Sequence, residues 1–204
     1  MRYTPVMAAV PDSQPNDRRA VDNRRGIVTL ITGWLILAIA AMTFILPLGD
    51  PRHAGTMLGL LLVAAGGLEI VAGSQRNAAR LPSMAAGVLT AVVGVLFLTG
   101  EWRGYIPAVN VVLIWLVLHS MLLLLATLRG GTSSVRKWTG IAAATDFLLG
   151  ALLLIGVSIS SLVYNLFGPT EYLVASFAWI LALSFVATGT MLLEVANCER
   201  EGAA

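Results

Sequence analysis

Six runs of roughly twenty apolar residues, each bounded by Pro, Gly or charge, constrain this chain more than any other feature. They cover about residues 26–46, 56–73, 83–100, 106–128, 138–158 and 172–196. A helix needs about 20 mostly apolar residues to cross roughly 30 Å of hydrocarbon, so each run is long enough to span a bilayer. Only 12% of the residues are charged, where a water-soluble domain carries about a quarter. Packed as a soluble bundle, the runs would have no polar faces left to cover them. The expected fold is therefore an all-α membrane protein with six transmembrane helices.

Orientation follows from the basic residues on alternate connections. Arg2, Arg18, Arg19, Arg24, Arg25, Arg76, Arg80, Arg129, Arg136, Lys137 and Arg200 fall on the side of the termini, eleven of the thirteen Arg and Lys in the chain. Only Arg52 and Arg103 fall on the other. The expected arrangement is a multi-pass protein of a bacterial inner membrane with cytoplasmic termini. Residues 1–24 read as a disordered cytoplasmic tail, 25–198 as the membrane domain and 199–204 as a short second tail. The apolar patch from Val6 to Val10 is too short for a signal-peptide core. Trp102, Tyr105, Trp138 and Tyr172 lie at span ends, as interfacial aromatics do. Ile159, Leu162, Val163 and Leu166 repeat at helical spacing and read either as an interfacial amphipathic helix or as an extension of the fifth span.

The odd-numbered spans carry an internal repeat. Gly26, Thr29, Gly33, Leu35 and Leu37 align with Gly87, Thr90, Gly94, Leu96 and Leu98 as G-x-x-T-x-x-x-G-x-L-x-L. In the fifth span Ala143, Asp146, Gly150, Leu152 and Leu154 take the same places, with Asp where the others have Thr. Three tandem two-helix hairpins result, at about 25–75, 82–129 and 138–197, all pointing the same way because two spans restore the starting side. The spacing puts Gly26, Thr29 and Gly33 on one helix face, likewise Gly87, Thr90 and Gly94, and likewise Asp146 and Gly150. Small residues of this kind let helix backbones approach closely in lipid. The odd spans are accordingly expected to form an inner layer enclosed by the even ones.

The residues also resemble the HdeD family of bacterial acid-resistance membrane proteins, which are built from tandem two-helix repeats. The likeness covers about residues 25–196. Its carriers are Arg24-Arg25-Gly26-Ile27 entering the first span, Gly66-Gly67-Leu68-Glu69-Ile70-Val71 ending the second, and Asp146 with Leu152, Leu154 and Gly156 in the fifth. The third span departs from the pattern, having Met84-Ala85-Ala86-Gly87 in place of a basic-Gly entry. The resemblance implies a role in survival of acid or general stress, with no reaction or transported substrate attached.

Four ionisable residues interrupt the apolar runs: Glu69, His119, Asp146 and Glu194. A charge at mid-bilayer costs about 3 kcal/mol on insertion scales, so such groups face the bundle interior or reach water. Glu69 and Glu194 lie about 10 Å or less along the helix from Arg76 and Arg200 and read as reaching the cytoplasmic boundary. Asp146 and His119 lie roughly 13 and 15 Å from the nearest basic residue of their own spans and read as deep. Asp146 is expected either to hydrogen-bond a neighbouring helix, through Thr29 or Thr90, or to handle protons with His119 as partner, and Glu69 is a third candidate titrating group.

The one cysteine, Cys198, forms no intramolecular disulfide, and His53 and His119 are too far apart in sequence for a metal motif. No catalytic cluster or cofactor motif is visible; His119 and Ser120 are adjacent, but neighbours on a helix point about 100° apart. The expected activity is non-enzymatic, with no cofactor. A small transporter or proton pathway through Asp146 and His119, or an accessory subunit of a membrane complex, are the alternatives. Expected partners are membrane lipids, with other membrane proteins or a second copy of the chain as further candidates. The small net charge of +2 gives no reason to expect nucleic acid.

Overall fold

The computed structural model describes residues 15–46, 51–76, 79–100, 108–130, 133–155 and 173–201. They form six helices: α1 (Pro15–Ile45), α2 (Pro51–Gln75), α3 (Arg80–Thr99), α4 (Ala108–Arg129), α5 (Ser133–Leu154) and α6 (Leu173–Glu201). Each contains a stretch long and apolar enough to span a membrane, from Asn23–Ile45 in α1 to Ala178–Cys198 in α6. The amphipathic segment at 159–166 lies outside the described residues.

Local chemistry sets several of the ends. α1 and α2 each begin on proline, whose fixed φ suits the first helical position and whose missing N–H would have had no partner there. Gly100 closes α3 in the left-handed region (φ 66°), with its N–H on Leu96 O at 3.2 Å. α1 is helical from Pro15, within the stretch 1–24 read as a tail.

The outside of the bundle carries large apolar side chains, while ionisable ones lie within. Leu81, Leu128 and Leu154 are 77%, 72% and 73% exposed, whereas Asp146 and Thr90 are fully buried and His119 is 1% exposed. In water this distribution would be reversed. Hydrocarbon is the solvent that accepts such a surface, and it drives the polar side chains inward to find partners.

The helices form a closed ring in which extensive and slighter interfaces alternate. α2 packs broadly on α3, α6 on α1, and α4 on α5; the intervening contacts, α1 with α2, α3 with α4 and α5 with α6, are less extensive. Glycine explains the closest of these. A methyl group on Gly87 would sit 2.6 Å from Ile70 N and 2.7 Å from Gly66 O, and one on Gly94 would sit 2.9 Å from Gly59 O. Backbone therefore meets backbone along α2 and α3. α1 and α6 meet the same way, with Gly33 and Gly189 each 3.2 Å from the other's carbonyl oxygen, measured from the methyl position.

This packing overturns the expectation of odd helices inside and even helices outside. No pair of odd helices forms more than a marginal contact, while the even helices α2 and α6 touch across the ring. α6 is the most enclosed element, with 67% of its span buried against 33% for α5. The physical reason lies in the small residues of the even helices: Gly59, Gly66 and Gly73 recur every seven residues on α2 and give it a close-approach face of its own.

Candidate proton-binding cluster

α2, α4 and α5 each carry one ionisable side chain into the ring, and the three meet. His119 Nδ1 lies 2.7 Å from Asp146 Oδ2, and His119 Nε2 lies 3.4 Å from Glu69 Oε2. All three side chains are at least nine-tenths buried. α3 completes the group, with the Thr90 hydroxyl 3.0 Å from Glu69 Oε2 and 3.1 Å from Ala86 O, so its single proton serves one or the other. The indole N–H of Trp115 donates to Thr90 Oγ1 at 3.2 Å. The resulting chain runs from Asp146 through His119, Glu69 and Thr90 to Trp115 and ties four helices together.

Aromatic packing fixes the imidazole. The Trp115 ring stacks on His119 one helical turn away, with centroids 5.2 Å apart and an interplanar angle of 23°, and Phe185 of α6 closes on Trp115 edge-on at 6.4 Å. His119 therefore presents one nitrogen to each carboxyl group.

Hydrogen-bond arithmetic shows what this arrangement can do. A neutral imidazole has one donor nitrogen and one acceptor nitrogen, and an ionised carboxylate only accepts. With a carboxyl oxygen facing each nitrogen, the contacts are matched either by an imidazolium between two carboxylates or by a neutral imidazole beside a protonated carboxyl. Moving one proton across the 2.7 Å contact interconverts two such states without moving a heavy atom. Glu69 Oε1 and Asp146 Oδ1, both buried, have no hydrogen-bond partner among the described residues and retain capacity to accept.

The cluster borders a narrow cleft of about 20 Å³, room for one or two waters, between α2, α3, α4 and α6. Glu69, His119 and Thr188 line its deep part; Arg76 and Ser83, with Arg76 Nη1 donating to Ser83 Oγ at 3.2 Å, lie at the end of α2 and the start of α3. Among the described residues no group of three or more His, Cys, Asp or Glu is placed to hold a metal ion.

The structure brings Asp146, His119 and Glu69 together and corrects the reading of Glu69, which is 5% exposed rather than extended to the boundary. Thr90 partners Glu69, not Asp146, and Thr29 turns back to Arg25 O at 2.9 Å. Gly26, Gly33, Gly87 and Gly94 lie where α1 meets α6 and α3 meets α2; a methyl on Gly150 would make only ordinary contact, 3.5 Å from Leu116 Cβ. Glu194 is half-buried and does not line the cleft. Trp115, Thr188, Ser83 and the burial of Arg76 were not anticipated. The i, i+7 spacing of Glu69 and Arg76, which puts both on one face of α2, is the signal that links them.

Comparison with protein-family models, curated proteins and solved structures finds no match to this chain.

Proposed function

We propose that this chain is a non-enzymatic inner-membrane protein of bacteria that binds and releases protons at the Glu69–His119–Asp146 cluster, in the service of resistance to acid or a related stress. One observation carries the reading: an imidazole in the bundle interior with a carboxyl oxygen at each of its nitrogens. Ionisable groups are costly at such depth and are kept where they act on ions or protons. The resemblance to the HdeD family supplies the link to acid.

Cytoplasmic termini are supported by the eleven basic residues on that side. A threefold repeat is supported by the alternation of interfaces around the ring, in which the extensive contacts, α2 with α3, α4 with α5 and α6 with α1, fall between consecutive hairpins. Proton binding is favoured over substrate transport by the form of the spans. Transporter sites use helices broken near the bilayer midplane, and here each span runs as one continuous helix.

Proton uptake by the purified protein after an acid step tests the proposal. The wild type is expected to take up about one proton per chain more than Asp146→Asn or His119→Gln, the capacity of one imidazole–carboxyl pair. Equal uptake by all three proteins contradicts it.

A further inference from the structure

We propose that the cluster exchanges protons with one side of the membrane only: the cleft between α2, α3, α4 and α6 is a water-filled inlet from the face bearing Arg76, and the bundle beyond His119 is sealed. The inference rests on the proton-binding reading and adds to it which compartment the site reads. A site open to one side responds to acidity there without conducting protons across the membrane, so the protein would sense pH rather than transport protons.

Unmet hydrogen bonding is the evidence for water. Thr188, on α6, is 2% exposed, lines the cleft, and its hydroxyl has no hydrogen-bond partner among the described residues. Glu69 Oε1, in the lining of the same cleft, has none either. Buried polar atoms in native proteins are paired with protein or with ordered water, and a polar cleft with several such partners is where water settles. Arg76 and Ser83, 6% and 8% exposed, mark the outer end just beneath the surface; Glu69 lies seven residues, or about 10 Å, deeper along α2. One or two waters in the cleft, between the hydroxyls of Ser83 and Thr188, link the Arg76 end to Glu69 and His119.

Among the described residues the opposite direction is closed. Beyond the cluster, Ile36 of α1, Leu58 and Leu62 of α2, Val112 and Leu116 of α4 and Phe185 of α6 are each at most 1% exposed. From His119 to the start of its span at Asn110 is about 14 Å of helix, and from Glu69 to Gly55 about 21 Å. Ser184 of α6 adds one buried, unpaired hydroxyl to this layer, but a single hydroxyl gives water too few partners to fill an apolar layer of this thickness.

The charged environment of the site is compact. α2 contributes Glu69 and Arg76, α4 contributes His119 and α5 contributes Asp146. α3 brings the uncharged Ser83 and Thr90, and α6 brings Thr188 with the apolar Met191 and Leu192. α1 contributes no residue to the lining.

Cysteine accessibility tests the inlet separately from proton binding. The chain has a single cysteine, so Cys198→Ser provides a background without thiols. In that background Thr188→Cys is expected to react with aqueous silver ion, a thiol reagent small enough for a water-sized passage, added to the basic face in inside-out vesicles, and not in right-side-out vesicles. Leu62→Cys is expected to react in neither. Labelling of Thr188→Cys from the opposite face, or from neither face, overturns the inlet, as does labelling of Leu62→Cys. Failure of proton uptake in the wild type would instead sink the proton-binding reading while leaving the labelling pattern intact. A second variant measures the inlet's use: Thr188→Leu should slow the approach to full proton uptake about tenfold, the effect of one lost hydrogen-bonding waypoint, and an unchanged rate contradicts the route.

Discussion

His119 Nδ1 lies 2.7 Å from Asp146 Oδ2 between two helices, α4 and α5, that are adjacent in the chain and pack broadly on one another. Both side chains are sealed from the surface, so each is the other's principal polar partner. Asp146→Ala leaves the imidazole facing a void, whereas Asp146→Asn keeps a hydrogen-bonding group in place. A double-mutant cycle of His119→Ala with Asp146→Ala, read by thermal unfolding in detergent, should give a coupling of about 0.5–2 kcal/mol, the range of buried polar pairs in membrane proteins. Additive effects would show that the contact contributes nothing to stability.

Gly66 and Gly67 are adjacent on α2 and should respond oppositely to the same change. A methyl on Gly66 would meet the α3 backbone, including Gly87 O at 2.5 Å, while one on Gly67 meets nothing within 4 Å. Gly66→Ala should destabilise by about 1–3 kcal/mol, since backbone on both sides cannot give way cheaply. Gly67→Ala should be neutral or stabilising by up to about 1 kcal/mol through helix propensity. Unfolding in a common detergent distinguishes the two.

Thr90 serves two partners at once, accepting from the Trp115 indole N–H and facing Glu69 Oε2. Thr90→Val preserves shape and leaves the indole N–H without that partner, at a cost of about 1–3 kcal/mol. It should also shift the Trp115 emission, because the indole loses its hydrogen bond. Thr90→Ser keeps the hydroxyl and should lie close to the wild type in both measurements.

Topology is open to direct test. Reporter fusions following Arg80 and Lys137 should lie in the cytoplasm, and one following Gly100 should lie outside. Any reversal would undo the assignment of the basic face, and with it the compartment that the cluster is proposed to read.

The six spans were legible because hydrocarbon imposes a length and an apolarity that few sequences satisfy by accident, and the element order of the structure follows the six runs. The deep pair Asp146 and His119 was legible from distance along the helix alone. Glu69 was misplaced because the same counting, applied to its approach to Arg76, assumed that Arg76 itself sat at the water boundary; the structure buries Arg76 at 6% exposure, and the boundary moves with it. The layer order failed for a different reason. Close-approach faces were sought only on odd spans, whereas Gly59, Gly66 and Gly73 make an equivalent face on α2 that selects α3 as its partner. Thr188 could not be singled out, since a threonine in an apolar run is ordinarily satisfied by its own helix, as Thr190 is through Val186 O at 2.8 Å.

The chain has only two histidines, so replacing His53 with Gln leaves His119 as the sole imidazole. Nitrogen-15 NMR of that variant in lipid nanodiscs, recorded across the pH range in which it stays folded, observes the proposed proton site itself. Both ring nitrogens should report hydrogen bonding, their signals should change with pH, and the pH of that change should move when Asp146→Asn is added. Signals that stay constant over the whole range, in a protein that remains folded, would contradict proton exchange at the cluster.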